Sequence, residues 1–423
     1  MCSTWALEHL LDDPGWGRPH ARSRGIVRLA NVRRAPYNYS YRLVYKLHGV
    51  ALAAALIKFV QQSMFAAASS RAAAAHLGAL ARRGGAYSTR SYATAAVCTK
   101  LGAPLTIDRN WQLPAALKPG EVRIKVAAAG VNFAEILQAR GEYQEKVEPP
   151  FVPGNEAAGE VSEVGSAIDH LAVGDRVICL SRGGAYSTEA VVDARTCLKL
   201  PAAAASADLC EAAALMCNYG TAHLALSSRA NLQPGETVLV SAAAGGVGLA
   251  AVELARLMGA GRVLAACGSD DKLALAANKG AEAEGINYTG MDGRAFRSRL
   301  KEVSGKRGVD VVVEMVGTWL EPCVRSLNWN GRAVVIGFAG GAIPAVPANI
   351  LLVKNVSVSG LFWGAHLIHD PATLQASAQQ LIRWWLEGAI QPHVGLRVPL
   401  ERANDAFEAI TSRTSTGKVV IVP

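Results

Sequence analysis

No two of the eight cysteines are spaced as Cys-x-x-Cys; they stand apart at positions 2, 98, 179, 197, 210, 217, 267 and 323. That absence removes a zinc knuckle and a redox dithiol, and leaves reduced, mostly buried thiols as the expectation. The chain also has no Gly-x-Ser-x-Gly elbow and no His-Glu-x-x-His helix, so hydrolase and metalloprotease readings lack support. Its nine histidines are dispersed: His366 and His369 share a helical spacing without a ligand-forming partner, and His223 reads as a packing or surface residue. Acidic residues are missing from the whole stretch between Asp13 and Asp108. Residues 1–107 carry 14 Lys and Arg against Glu8, Asp12 and Asp13, whereas 108–423 carry 29 basic against 31 acidic residues. The formal charge of +9 therefore belongs to the leader, and the body has no excess that argues for nucleic acid.

The leader, 1–92, reads as a targeting segment. From Met64 onward it is rich in Ala, Ser and Arg and patterned as a basic amphipathic helix, as mitochondrial transit peptides are. Arg90-Ser91-Tyr92-Ala93 has the look of a processing site, with the mature start near Ala93 and the matrix as destination. Residues 1–63 match no domain pattern and stand as an extension of unclear role. The apolar stretch Val50–Ile57 is too short to span a bilayer, which leaves a signal anchor as the poorer reading.

The body is globular by composition, 51% hydrophobic and 18% charged, and long enough for two domains. Its most informative stretch is 236–255. Val238–Val240 reads as a buried parallel strand, and Val247, Ala251, Leu254, Ala255 and Met258 give the stripe of a helix. Between them Ala242, Gly245 and Gly248 recur at spacings of three, with Gly246 and Val247 inside the turn. A methyl group at the first position still permits a tight turn, Gly245 lets backbone approach a pyrophosphate, and Gly248 lets helix pack on strand. This segment predicts dinucleotide binding. Further strands are expected at Val263–Ala266, Val309–Glu314 and Ala333–Gly337, with helices between, and a closing strand at 417–421. The segment 97–222 instead has strand-like alternation broken by turns at 118–120 and 173–175. The fold class is α/β: a β-rich domain (93–222 and 364–423) with an inserted doubly wound nucleotide domain (223–363).

After the second strand of that insert the chain runs Cys267-Gly268-Ser269-Asp270-Asp271-Lys272. Gly268 supplies no carboxylate for a ribose 2′-hydroxyl, while Ser269 and Lys272 could hold a 2′-phosphate, which favours NADPH. Asp270 and Asp271 oppose this unless they cap the next helix. The loop Gly337–Gly341, with Phe338 and Gly340, is placed to cover a nicotinamide, its glycines allowing closure. Thr221 is expected to begin the helix leading into the insert, as a cofactor contact or as an ordinary N-cap. Trp384 and Trp385 read as core and surface.

Several stretches then occur in order: Ala128-Ala129-Gly130-Val131-Asn132-Phe133-Ala134-Glu135, Arg140-Gly141-Glu142-Tyr143, Pro150-Phe151-Val152-Pro153-Gly154-Asn155-Glu156, Gly174-Asp175-Arg176-Val177 and Ser415-Thr416-Gly417-Lys418. Together they resemble the zinc-free medium-chain dehydrogenases/reductases, and among these the quinone oxidoreductase (zeta-crystallin-like) group. The resemblance runs from about residue 97 to the C-terminus. It implies a GroES-like catalytic domain, a Rossmann domain, NADPH bound with Tyr288 among its contacts, and a homodimer, for which Val356–Gly360 is a candidate sheet edge. Gly154-Asn155-Glu156 stands where zinc-dependent cousins have Gly-His-Glu, and an amide is a poor zinc ligand, so no metal is expected. The implied chemistry is hydride transfer to a quinone or α,β-unsaturated carbonyl. Tyr143 is the candidate hydrogen-bond donor, and Asn132 holds nicotinamide ribose or substrate, or merely forms a turn. Two alternatives stand beside it: an enoyl-thioester reductase, and a non-catalytic NADPH-binding protein of RNA-binding or structural use.

Overall fold

The computed structural model describes residues 91–423, so the extension 1–63, the expected transit peptide up to residue 90 and, of the processing site, Arg90 lie outside the described residues. Strand β1 (Ser91–Val97) pairs antiparallel with β2 (Thr106–Leu113), and it takes in Ser91 and Tyr92, which the expected boundary had left in the leader. The reason is local: Ser91 lies opposite Leu113, and its hydroxyl accepts from the Arg123 guanidinium at 3.2 Å.

The β-rich body follows as β3 (Glu121–Val131), helix α1 (Phe133–Arg140), β4 (Glu156–Val164), β5 (Arg176–Leu180), β6 (Glu189–Asp193) and β7 (Cys197–Lys199). Helix α2 (Leu209–Leu224) then leads to the parallel sheet. That sheet comprises β8 (Thr237–Ser241), β9 (Arg262–Cys267), β10 (Ile286–Asn287), β11 (Val309–Glu314), β12 (Leu327–Val335) and β13 (Ser357–Gly360). Its helices are α3 (Gly246–Leu257), α4 (Asp270–Asn278), α5 (Gly293–Ser304), α6 (Leu320–Ser326) and α7 (Ala348–Lys354). The chain returns through α8 (His366–His369), α9 (Pro371–Leu386), β14 (Val394–Pro399), α10 (Ala403–Thr411) and β15 (Lys418–Val422).

Strands β8, β9 and β11 are buried almost throughout, as continuous Val, Leu and Ala runs require when helices cover both faces. The sheet order is β10-β9-β8-β11-β12-β13, so the chain reverses its direction of travel between β8 and β11. A crevice at the carboxyl ends of those two strands is where such sheets bind ligands. Val309–Glu314 is a strand as expected, but β12 begins at Leu327, ahead of the expected Ala333. Asn330 adopts a left-handed φ of 65°, and the register shift beside it lets Leu327 pair with Val309 before the ladder resumes at Arg332.

The β-rich sheet has the order β14-β15-β3-β4-β5-β7, with β6 on β3, so the last strand of the chain lies inside the sheet, between β14 and the long strand β3. Residue 222 is no domain edge: α2 runs through it, with Cys210 to Leu224 largely buried. One apolar core joins Ala128, Ala158 and Val420 of the β-rich sheet to Val238, Val240 and Val311 of the parallel one through this helix. Trp385 is buried in that core, and His223 packs edge-on against Trp384 with its Nδ1 2.7 Å from Ser377 Oγ. No helix among the described residues is long and apolar enough to cross a membrane.

Candidate active site

Beyond β8 the backbone turns at once. Ala242 sits at a left-handed φ of 45°, a conformation that costs an L-residue about 1–2 kcal/mol and that glycine adopts freely. Gly245 is the N-cap of α3 and has no side chain to satisfy the first-turn amides of Gly246, Val247 and Gly248, which remain donors for an anion. A Cβ on Gly248 would meet the Ala242 carbonyl oxygen at 2.3 Å, and one on Gly246 would meet Asn218 Nδ2 at 2.3 Å. Gly245 is roomier, its nearest neighbour on that side being Ala242 O at 3.3 Å. The cradle therefore fits a pyrophosphate.

On the β9–β10 side, Ser269 caps α4 by accepting from Lys272 N at 3.4 Å. Asp270 and Asp271 occupy the first turn instead of capping it, and Asp270 accepts from Asn287 Nδ2 at 2.9 Å. Lys272 Nζ donates to the carbonyl of Arg413 at 2.5 Å. The Arg413 charge also favours ionisation of Tyr288, whose hydroxyl burial, aided by Cys267, nevertheless pushes up to about 12. Arg413 thus joins Ser269, Lys272 and Tyr288, and sequence reasoning missed it because nothing near it in the chain marks it.

On the β11–β12 side, buried Glu314 accepts from Val316 N at 2.9 Å and Gly317 N at 2.6 Å, while its second oxygen has no partner. Burial raises its pKa above the usual carboxylate range. The loop bearing Phe338 and Gly340 is pinned to that turn, with Ala339 N on Met315 O at 3.0 Å and Gly340 N on Val316 O at 2.8 Å. Its glycines serve this close approach, since a Cβ on Gly340 would lie 2.8 Å from Val316 O. In this structure the loop expected to cover the nicotinamide rests against the turn after β11. The place of Thr221 is corrected: it lies in the last turn of α2, whose N-cap is Asp208, accepting from Cys210 N at 2.8 Å. The α2 side chain that meets the glycine turn is Asn218, one turn earlier.

The β-rich half contributes a buried polar cluster. Asn132 caps α1 in a capping box, its backbone N donating to Glu135 Oε2 at 3.0 Å. Its amide nitrogen donates to Glu135 Oε1 at 3.2 Å and Glu156 Oε1 at 3.0 Å, and its oxygen accepts from Lys418 Nζ at 2.6 Å. Both amide donors are spent, and the oxygen serves Lys418 as well as the Glu135 amide of the capping box, so Asn132 holds the cluster together and has no free hydrogen-bonding group to offer a ligand. Lys418 also pairs with Glu156, whose other oxygen accepts from Cys217 N at 2.8 Å, and reaches Asn218 Oδ1 at 3.5 Å. Gly417 N donates to Ala244 O at 2.8 Å, which ties this cluster to the glycine turn. Gly130 makes room for it: a Cβ there would lie 2.6 Å from Glu156 Oε1. Of these residues the sequence singled out Asn132 alone as a site residue; Glu135, Glu156, Asn218 and Lys418 appear once β15 is seen beside β3.

Tyr143 is half-buried and packs edge-on against Phe362 at 6.4 Å. Burial first, then Glu145, Glu135 and Cys217, push its hydroxyl up to about 12, so it stays a protonated donor at neutral pH. Where zinc cousins place histidine, Asn155 uses its backbone N to donate to Glu135 Oε1 at 3.1 Å. Among the described residues no three of His, Cys, Asp and Glu gather as metal ligands, and the seven described cysteines are free thiols.

Comparison with known proteins agrees with this geometry. The alcohol dehydrogenase GroES-like domain family matches residues 118–202, and the zinc-binding dehydrogenase family matches 246–383. Quinone oxidoreductase-like protein 2 of Rattus norvegicus is 43% identical over 344 residues, 81% of this chain and 95% of that protein. The synaptic vesicle membrane protein VAT-1 homolog of Homo sapiens is 31% identical, over 73% of this chain and 81% of its own length. The crystal structure of Escherichia coli quinone oxidoreductase complexed with NADPH superposes with a TM-score of 0.71 at 31% identity, covering 78% of this chain and 100% of that one. With its two domains, its glycine turn and these relatives, the chain belongs to the medium-chain dehydrogenase/reductase family, among the quinone oxidoreductase-like proteins.

Proposed function

We propose that the protein is an NADPH-dependent oxidoreductase that reduces quinones or α,β-unsaturated carbonyls by hydride transfer, without zinc. The observation that carries the cofactor is the glycine cradle at the head of α3, flanked by Ser269, Lys272, Tyr288 and Arg413 with no carboxylate at Gly268. NADPH would supply the hydride. The first-turn amides of α3 bind its pyrophosphate and Lys272 and Arg413 its 2′-phosphate, while Asn132 stays engaged with Glu135, Glu156 and Lys418. Tyr143 donates a hydrogen bond to the substrate oxygen that gains negative charge, a role suited to a phenol held protonated by burial. With Asn155 in place of an imidazole, the acid at that oxygen is the tyrosine and no metal is needed. A mitochondrial matrix location rests on the Arg-rich leader, which has no acidic residue after Asp13, and a homodimer on β13, an edge of the parallel sheet among the described residues.

NADPH oxidation by the full-length chain, offered 9,10-phenanthrenequinone, small enones and a trans-2-enoyl-CoA in parallel with NADH as control, tests this reading. Turnover with quinones or enones that survives dialysis against a zinc chelator is the expected result. Preference for the enoyl-CoA would move the assignment to thioester reduction, and tight NADPH binding with no turnover would leave a binding protein. Tyr143→Phe should lower kcat/KM for the enone about 100-fold, the lower range for a general acid, with NADPH affinity unchanged.

A further inference from the structure

Two carboxyl groups and one ammonium share the cluster beside the glycine turn. Glu135 and Glu156 are fully buried and Lys418 is 2% exposed. With both carboxyls ionised the three groups sum to −1, and with one proton aboard they sum to zero. Glu135 faces Glu156 from β4, Lys418 from β15, Cys217 from α2, and Tyr143 and Tyr186 from two loops; of these Lys418 is the one cation. Every oxygen of Glu135 is occupied, by Asn132 N, Asn132 Nδ2 and Asn155 N, so solvent does not share its charge. Burial raises its pKa to about 7 even though Lys418 and Asn132 pull the other way. The cluster thus exchanges a proton near neutrality.

Its place in the cleft gives that proton a use, on the reading that the cleft takes NADPH. The adenosine end of the cofactor belongs to the β9–β10 side, with Ser269 and Tyr288. The nicotinamide end then extends past the glycine turn toward Asn132 and Tyr143, beside Glu135. Losing a hydride turns a neutral nicotinamide into a cation, while the pyrophosphate and 2′-phosphate keep their charges. Comparing the two forms of the cofactor therefore isolates one charge.

We propose that Glu135 ties the proton content of this cluster to the oxidation state of the bound cofactor, its carboxyl ionising when NADP+ fills the cleft and holding its proton when NADPH does. The negative cluster attracts the nicotinium, so NADP+ binds more tightly as pH rises and leaves more readily as pH falls. Glu135 acts here as a positioning and charge-setting residue, without touching the reacting atoms.

Isothermal titration of the full-length chain with NADP+ and with NADPH, at pH 6 and pH 8 and at pH 7 in two buffers of different ionisation enthalpy, tests this. The ratio of the NADP+ Kd to the NADPH Kd should fall about three- to fourfold between pH 6 and pH 8, the part of one charge–charge contact in high dielectric that this window captures. At pH 7 NADP+ binding should release a fraction of a proton that NADPH binding does not. Glu135→Gln should abolish both effects; should that variant fail to fold, the wild-type proton release decides alone. A ratio independent of pH with both cofactors bound would overturn the inference and leave the cofactor reading standing, as would proton release that persists in Glu135→Gln. Failure of either cofactor to bind would overturn the reading of the cleft itself.

Discussion

Replacing Lys418 by methionine keeps the length of a side chain that is 2% exposed and deletes the charge facing Glu135 and Glu156. Removing one partner of a buried pair leaves an uncompensated charge and costs about 3–5 kcal/mol. The folded variant can escape part of that cost by protonating a carboxyl. From an ordinary glutamate pKa of about 4.3, at 1.36 kcal/mol per unit, protonation costs about 5 kcal/mol at pH 8 and about 1.6 kcal/mol at pH 5.5. Glu135 already has a raised folded pKa of about 7, so its ionisation cost to the fold is absent below the unfolded value, grows through that window and is complete above pH 7. The variant adds a second carboxyl of the same kind. Its destabilisation should therefore be about 3–5 kcal/mol at pH 8 and shrink to about 1–2 kcal/mol at pH 5.5. Urea unfolding followed by tryptophan fluorescence at both pH values measures the two numbers. Destabilisation below about 1 kcal/mol at pH 8, or equal at both pH values, would refute the view that Lys418 offsets the charge of a buried carboxyl pair.

Other consequences follow from single contacts. Gly248→Ala places a methyl 2.3 Å from the Ala242 carbonyl, so α3 must move off β8; NADPH affinity should fall by at least about tenfold in a fluorescence titration. Lys272→Ala and Arg413→Ala should each weaken NADPH about tenfold and leave NADH binding unchanged, since the lost charge meets a 2′-phosphate that NADH lacks. Val358→Asp puts a charge on the edge strand β13, and sedimentation should detect loss of the proposed dimer with cofactor binding intact.

The sequence revealed the parts of this molecule that are local. Val309–Glu314 is readable to the residue because Val309 and Val311–Val313 form a short β-branched run that suits a strand buried on both faces. The glycine turn was readable because its spacing encodes a backbone path, and Ala242 at a φ of 45° is the strained position where glycine usually stands. Contacts distant in the chain were not readable. Lys418 meets Glu156 across the sheet because β15 enters between β14 and β3, an order that no periodicity announces. Arg413 reaches Lys272 and Tyr288 only through the turn after α10. Thr221 lies inside α2 and not at its start, and Gly220 before it lets Trp363 pack against that helix, since a Cβ there would lie 2.7 Å from the indole. The bulge at Asn330 lengthened β12 for a similar reason, since asparagine tolerates a left-handed φ that a pattern of apolar residues does not disclose.

The most direct test of the account is the fate of one hydrogen. The full-length chain, given an enone and NADPH carrying deuterium at one face of nicotinamide C4 or at the other, should pass the label to the β-carbon of the product from one of the two preparations and not from the other, as read by mass spectrometry and NMR. Product that forms without deuterium from either preparation, or no product with any quinone or enone while NADPH binds, would contradict it.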